Sequence, residues 1–418
     1  MVVEMPFARW RTPISEGLPG IIFQVTAPAW EVIDLNDLDV RVTESKFLLS
    51  PFNAQGLEGS SQRASTTIFQ LNGPFLAQEV DDLTLAEDTE LSKPSLPSLQ
   101  VAQYLGLLPD DHADGAIRYQ SLVKEALTAI GLGHYSKIVC SHRIDYRIGP
   151  KALDNEPNDQ AADTQSMPPD VLDIVWEQVF LKLERLYPSA FVSMVFHPDF
   201  GRWITASPEV LLRQTTEGNT HHFSTVSLAG TRPASIPQAD PWGTKELGEQ
   251  AHVTDFIKHR VADLHDAKGN PANIEVNING PFNQQAGPVS HLQTVLNWSV
   301  PIDSPVKVGQ ILTALHPTSA TSGSPKEEAL EFLSRNEGYN RELYAGYLGP
   351  SDGQELRTYV NLRTMKVNKD AVSLYVGAGI TIGSDPASEW AETLNKALTL
   401  LRPLVQTLSV NGLELKLV

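Results

Sequence analysis

The chain has 418 residues, enough for one large domain or two to three ordinary ones, and its 41% hydrophobic and 20% charged residues suit a globular protein with a sizeable core. With 50 acidic against 32 basic residues and a formal net charge of -18, long-range attraction to nucleic acid or an anionic membrane is not expected. An anionic ligand must then be caught by a local group of cations or by a metal ion.

The opening stretch MVVEMPFARWRTPISEG breaks with charge and proline before a signal-length apolar run develops, and no membrane-length apolar segment follows. A single cysteine, Cys140, permits no intramolecular disulfide and fits a reducing compartment, so a cytoplasmic location is expected. FLLSPF and STTIFQL mark a strand-rich first region, and the acidic, proline-closed segment 80–98 reads as an exposed loop. RYQSLVKEALTAIGLG follows as an amphipathic helix ended by glycine. KIVCSHR, residues 137–143, is strand-like, with Lys137 at its start and Cys140 inside it as a small core residue.

The polar, acidic segment 149–170 reads as a second loop. Beyond it come a helix in PPDVLDIVWEQVFLKLERLYP, strands in FVSMVFH and RWITASPEVLLRQ, and a strand in HHFSTVSLAGT. A long helix follows around KELGEQAHVTDFIKHRVADL. ALHPTSATSGSPKEEA is a loop dense in Thr, Ser, Gly and Pro. Strands ELYAGYLG, TYVNLRTMKV and SLYVGAGI then precede a last helix over 386–402. Strands outnumber helices and often follow one another through short turns, which predicts an α+β fold of large antiparallel sheets with helices outside.

Several side chains could carry chemistry. On the last helix Glu389, Glu392 and Lys396 share one face, after the glycine turn GAGI and an Asp385-Pro386 helix start. Glu246 and Glu249 stand at i and i+3 on the earlier helix, with His252 a further three on. Taken alone, each acidic pair reads first as a solvated stripe, with carboxylates for a divalent cation as the alternative. Lys137 is either an edge lysine or, if desolvated beside other cations, a base with a lowered pKa. Glu209, between Pro208 and an apolar run, could be kept protonated and serve as an acid.

Taken together and in order, KIVCSHR, ASPEVLLR, SLAGT, KELGEQAH, His291-Leu292, LHPTSATSGSPKEEA, RELYAGYLG, NLRT and GAGITIGSDPASEWAETLNKA resemble the chorismate-utilising enzymes. That family includes isochorismate synthases, salicylate synthases, and the synthase components of anthranilate and aminodeoxychorismate synthases. The resemblance covers roughly 130–402. It implies a variable N-terminal region, 1–129, and a chorismate-binding catalytic region, 130–418, of one large domain. It implies Mg2+ held directly by Glu249 and Glu392 with Glu389 and Glu246 in support. Substrate carboxylates would be held by Arg363, Lys396 and the backbone at Gly230 and Gly377. Tyr344 and His291 would flank the ring, and Thr318, in LHPT, would join the substrate site.

Within the family, Lys137 sits where the water-using members carry the lysine that activates water, and where the ammonia-using members typically have glutamine. Ala229 stands where aminodeoxychorismate synthases have a nucleophilic lysine, and LHPT resembles the water-using branch. The resemblance therefore implies an isochorismate synthase, an isomerase with Lys137 as base and Glu209 as acid, serving menaquinone or siderophore biosynthesis or salicylate formation. Salicylate synthase is the nearest alternative, ahead of anthranilate synthase component I and a non-catalytic chorismate-binding homologue. No glutaminase subunit is expected, and the default is a monomer. Two departures stand out: His142 where arginine is common, with a possible effect on the support of Lys137, and Gln250 after Glu249 where the family has histidine.

Overall fold

In a computed structural model of the protein, residues 5–12, 21–34, 38, 45–52, 67–79, 102–103, 106–151, 169–233, 236–265, 269–286 and 289–418 are described. The expected loop at 80–98 and residues 152–168 of the second lie outside them. The first six strands are β1 (Phe7–Arg11), β2 (Ile21–Thr26), β3 (Glu31–Asp34), β4 (Lys46–Ser50), β5 (Thr67–Asn72) and β6 (Leu76–Glu79). Helix α1 (Asp114–Gly131) and strand β7 (Lys137–Pro150) follow, then helix α2 (Pro169–Leu186). Strands β8 (Phe191–His197), β9 (Gly201–Ser207), β10 (Val210–Glu217) and β11 (Thr220–Pro233) lead to helix α3 (Thr244–Ala262). Next are β12 (Asn277–Ala286), β13 (Val289–Pro301), helix α4 (Val308–Leu315), the short β14 (Gly323–Ser324) and helix α5 (Lys326–Asn336). Strands β15 (Tyr347–Ser351), β16 (Glu355–Val360), β17 (Thr364–Asn368) and β18 (Ala371–Ile380), helix α6 (Pro386–Val410) and β19 (Leu413–Leu417) come last.

The strands form two antiparallel sheets. One runs β14-β7-β18-β17-β9-β8-β1-β2-β6, with β19 also on β7, and the other runs β12-β13-β11-β10-β16-β15-β4-β5-β3. Strands from residues 7–79 extend both sheets, so the first region is built into the same layers as the rest. The sheets pack face to face: Trp10 meets Phe47 at 5.0 Å between ring centres, and Phe191 stacks on Tyr359 at 4.1 Å. Helices α1, α2 and α6 cover the outer face of the first sheet, and α3 and α4 that of the second. The α+β expectation is met in full.

Helix α6 shows why these residues make these elements. Asp385 accepts a hydrogen bond from the Ser388 backbone N–H at 2.9 Å, and Pro386 occupies the first turn. Trp390, Leu394, Ala397, Leu401, Leu404 and Leu408 form its buried stripe at steps of three and four. Each buried leucine contributes roughly 2 kcal/mol. The helix runs on to Val410, beyond the expected end at 402. Three expected strands begin late or divide. RWITASPEVLLRQ splits into β9 and β10 at Pro208-Glu209, TYVNLRTMKV splits into β16 and β17, and the start of ELYAGYLG is a turn.

Candidate active site

The two divided strands explain where the site lies. Between β9 and β10 the chain leaves the first sheet for the second, and between β16 and β17 it returns. Pro208 offers no N–H to a ladder, which favours the break there. The two crossings are strapped together: the Val360 N–H donates to the Glu209 carbonyl at 2.9 Å, the Ser207 hydroxyl to the Val360 carbonyl at 2.6 Å, and the Ala206 N–H to the Arg363 carbonyl at 3.0 Å. Arg363 holds a left-handed backbone, φ 50°, costly for a side-chain-bearing residue and maintained here by the surrounding bonds. Its guanidinium donates to the Thr399 hydroxyl of α6 at 2.7 Å. The backbones of Glu209 and Arg363 thus belong to two crossings strapped together at the seam between the sheets.

Lys137 opens β7 on the face opposite to Ile138, Cys140 and His142, which pack among the helices. Burial pulls its pKa below the ordinary lysine value, and Lys396 adds to this, against the opposing pull of Glu249, Glu209 and Glu392. Burial pushes Glu209 up to about 7, against Lys137 and Lys396. Glu249, Glu209, Glu392 and Lys396, from α3, the β9–β10 crossing and α6, therefore all lie within electrostatic reach of Lys137. An amine with a weakened hold on its proton and a carboxyl with a strengthened one are the pairing that acid–base chemistry near neutral pH requires.

On α6, Lys396 donates to the Gly377 carbonyl at 2.8 Å and lies 2.7 Å from a Glu392 carboxylate oxygen. Gly377 faces Tyr344: a methyl group there would stand 2.9 Å from the tyrosine hydroxyl and 2.8 Å from the Cys140 carbonyl. Tyr344 is buried against Tyr375, with ring centres 5.6 Å apart. On the other sheet, β11 bulges at Gly230, φ 65°, where a methyl would lie 2.9 Å from the Glu246 carbonyl. Glycine there lets the start of α3 approach the strand. His291 on β13 bonds the Gly230 carbonyl and is held below its ordinary pKa by burial and by Arg363 and Lys396. Thr318 is buried within the loop 316–325, whose β14 residues pair with the start of β7.

The site glutamates divide. Glu249 and Glu392 both act on Lys137, so α3 and α6 bring one carboxylate each to the same amine. Glu389 acts on Tyr119 and Cys140, toward the helix side of the sheet, and Glu392 acts on Tyr119 as well. Glu246 folds back toward Gly243 at the start of its own helix, where it complements the exposed N–H groups. Among the described residues no three His, Cys, Asp or Glu side chains are gathered as a metal cage. Two convergent carboxylates still fit Mg2+, which keeps several waters and takes one or two carboxylates together with ligand oxygens.

Both sequence departures acquire a location. His142 is buried on the helix side, its Nε2 2.8 Å from the Thr393 hydroxyl and its ring 4.7 Å from those of Trp390 and Tyr119. It points away from the Lys137 face, so support of Lys137 by residue 142 is ruled out by strand alternation. Gln250 accepts from the Ala229 N–H at 2.8 Å and donates to the Ser227 carbonyl, the Ser227 hydroxyl and the Thr294 hydroxyl. That set pins α3 to β11 and β13 beside Gly230.

One cluster escaped the reading of single motifs. Arg341 and Glu337, each almost wholly buried, form a bidentate pair at 2.6 and 2.7 Å. Arg341 also donates to the Thr321 and Val139 carbonyls, both at 2.7 Å, and Glu337 accepts from the N–H and hydroxyl of Ser141. The Tyr344 N–H donates to the Arg341 carbonyl at 2.9 Å. The pair therefore ties the Lys137 strand, the Thr318 loop and the Tyr344 turn together. The signal was present as the arginine of RELYAGYLG. His316 adds a second tie, donating from Nε2 to the Ala345 carbonyl at 2.9 Å, while Lys326 holds the His316 carbonyl at 2.6 Å.

A desolvated amine and a proton-retaining carboxyl within electrostatic reach of each other, with a second lysine acting on both, are suited to acid–base chemistry on an anionic small molecule. The chain belongs to the chorismate-binding enzymes, whose family profile, described as chorismate binding enzyme, matches residues 172–402. It is 45% identical over 95 residues, 23% of this chain and 22% of the relative, to the isochorismate synthase MenF of Escherichia coli K12. It is 30% identical over 239 residues, 52% of this chain and 56% of the relative, to the isochorismate synthase EntC of the same organism. The matched stretches thus span about a fifth and a little over half of these two relatives. Among solved structures, the menaquinone-specific isochorismate synthase MenF of Escherichia coli superposes with TM-score 0.63 at 19% identity, covering 96% of this chain and 88% of that one, a likeness of fold. Among the described residues no helix is long and apolar enough to cross a membrane.

Proposed function

We propose that the protein is an isochorismate synthase that isomerises chorismate to isochorismate with the help of Mg2+. The observation that carries this reading is the meeting of Lys137, at the start of β7, and Glu209, at the β9–β10 crossing between the sheets, with opposite displacements of their proton affinities. Arg363 and Lys396 hold the substrate's carboxylates, together with the backbone at Gly230 and Gly377, while Tyr344, His291 and Thr318 bound the ring. Lys137, in its neutral form, takes a proton from water as that water adds to C2 of the ring. Glu209, in its acid form, gives its proton to the departing C4 hydroxyl as the double bonds shift. One water enters, one leaves, and the formula of the substrate is conserved. Glu249 and Glu392 would hold the Mg2+, whereas Glu246, folded back over the start of α3, would not. Bound there, the ion supplies positive charge to neutralise and orient a substrate carboxylate.

Water as nucleophile is supported by Lys137 and by Ala229, which brings no amine of its own to the pocket. The reading needs no glutaminase subunit, and a monomer suffices. The likeness to the menaquinone-specific isochorismate synthase of Escherichia coli supports menaquinone biosynthesis as the setting, with siderophore biosynthesis as the alternative. Incubation of the protein with chorismate and Mg2+, with chromatographic separation of the products, tests it. Isochorismate is expected. Salicylate with pyruvate would replace the assignment by salicylate synthase, and unchanged chorismate would reduce the protein to a binding homologue.

A further inference from the structure

We propose that Gly379 is a positioning residue for Lys137: the space left by its missing side chain seats the lysine arm, so that residue 379 determines where the amine stands in the cleft. The inference rests on the reading of Lys137 as the base. On β18, Gly379 lies opposite Val139 of β7, and Ile380 opposite Ile138, which puts Gly379 on the same face as Lys137 and diagonal to it. A methyl group built on Gly379 would stand 2.7 Å from Lys137 Cε, 3.3 Å from Nζ and 4.0 Å from Cδ, and these are its three nearest neighbours. The lysine arm thus lies directly across the glycine.

The backbone does not explain the glycine. Gly379 is in an ordinary strand, unlike the left-handed Gly230 at 65°. Its neighbour two residues earlier has a different reason to be small, since a methyl on Gly377 would meet the Cys140 carbonyl and the Ser141 and Tyr344 side chains. Nor can Lys137 move away as a whole. Its strand is held from the other side by the Ser136 N–H to the Ser324 carbonyl and the Val139 N–H to the Ser322 carbonyl, both at 2.9 Å. Gly323, where any side chain would strike the Lys137 carbonyl, closes that side. A methyl at 379 must therefore be accommodated by the arm alone, displacing Cε and Nζ by roughly 1 Å to restore van der Waals distance. A displacement of that size at a reacting group costs on the order of 100-fold in rate.

The test compares Gly379→Ala, Lys137→Ala and the double variant. Gly379→Ala is expected to lose about 100-fold in kcat with KM changed little, while unfolding at the wild-type temperature. n-Propylamine, which matches the atoms removed beyond Cβ, is expected to restore part of the turnover of Lys137→Ala and none in the double variant, where the methyl fills the seat. Near-wild-type kcat in Gly379→Ala, or equal rescue of both lysine variants, overturns the proposal. If Gly379→Ala is unstable, the double variant decides: recovery to the stability of Lys137→Ala supports a clash with the arm, and persistent instability shows a backbone need for glycine and overturns it. Wild-type turnover in Lys137→Ala would instead remove the base. The seat is then judged by acetic anhydride labelling of Lys137, followed by peptide mass spectrometry: a changed rate in Gly379→Ala supports the seat, and an unchanged rate overturns it.

Discussion

Replacing Glu209 by glutamine should abolish turnover and make the protein more stable at alkaline pH. Burial lifts the Glu209 carboxyl from 4.5 to about 7, so the folded state binds this proton more tightly than the unfolded chain does. The stability it contributes is complete below pH 4.5 and is lost as pH rises through about 7. At about 1.4 kcal/mol per pH unit, the full displacement corresponds to about 3 kcal/mol. Partial exposure of the side chain to the cleft reduces that to about 2 kcal/mol. With about 2.1 cal/mol/K of unfolding entropy per residue over 418 residues, the melting temperature should shift by about 2–3 °C. The measurement is thermal and urea unfolding of wild type and Glu209→Gln at pH 5 and pH 8.5. The variant's advantage should grow by about 2 kcal/mol between the two, because glutamine cannot ionise in the cleft. An advantage that is independent of pH, or that shrinks as pH rises, would refute the claim that Glu209 is held as an acid.

Lys137→Ala should lose turnover while Mg2+-dependent binding of chorismate, followed by calorimetry, stays within a few-fold of wild type; retained turnover would remove the base. Chelation with EDTA should abolish activity and added Mg2+ restore it, with Glu249→Gln and Glu392→Gln raising the Mg2+ concentration needed for half-maximal rate. Arg341→Met leaves Glu337 buried without its partner and should cost about 3–5 kcal/mol of stability by urea unfolding. The double replacement Arg341→Met/Glu337→Leu should recover much of it. A loss under 1 kcal/mol in the single variant would show that the pair does not hold the three site segments together. Wild-type turnover against pH should rise as Lys137 loses its proton and fall as Glu209 loses its own through about 7. An alkaline limb retained in Glu209→Asp but displaced from its wild-type position would identify the carboxyl responsible.

Periodicity and end signals, read locally, were enough for much of the secondary structure. The alternation in FVSMVFH is β8, and Asp385-Pro386 starts the last helix, because cap and stripe act within a few residues of themselves. The candidate site residues were found as types in ordered motifs. What a linear reading could not supply was direction. Strand breaks at Pro208-Glu209 and before Arg363 became crossings between sheets only once both sheets existed. His142 and Lys137, five residues apart on one strand, were separated by pleat alternation onto opposite faces. Glu246 and Glu249 looked equivalent on α3, yet one turned back over the helix start and the other reached the lysine.

The chain by itself determined the antiparallel α+β architecture, the family and the residue types available for acid, base and cation, since these depend on local pattern and on motif order. Tertiary structure alone decided which of those groups share a cleft, which proton affinities shift, and why Gly379 must be small. Desolvation and steric contact act between segments as far apart in sequence as Lys137 and Lys396, and no local pattern encodes that distance.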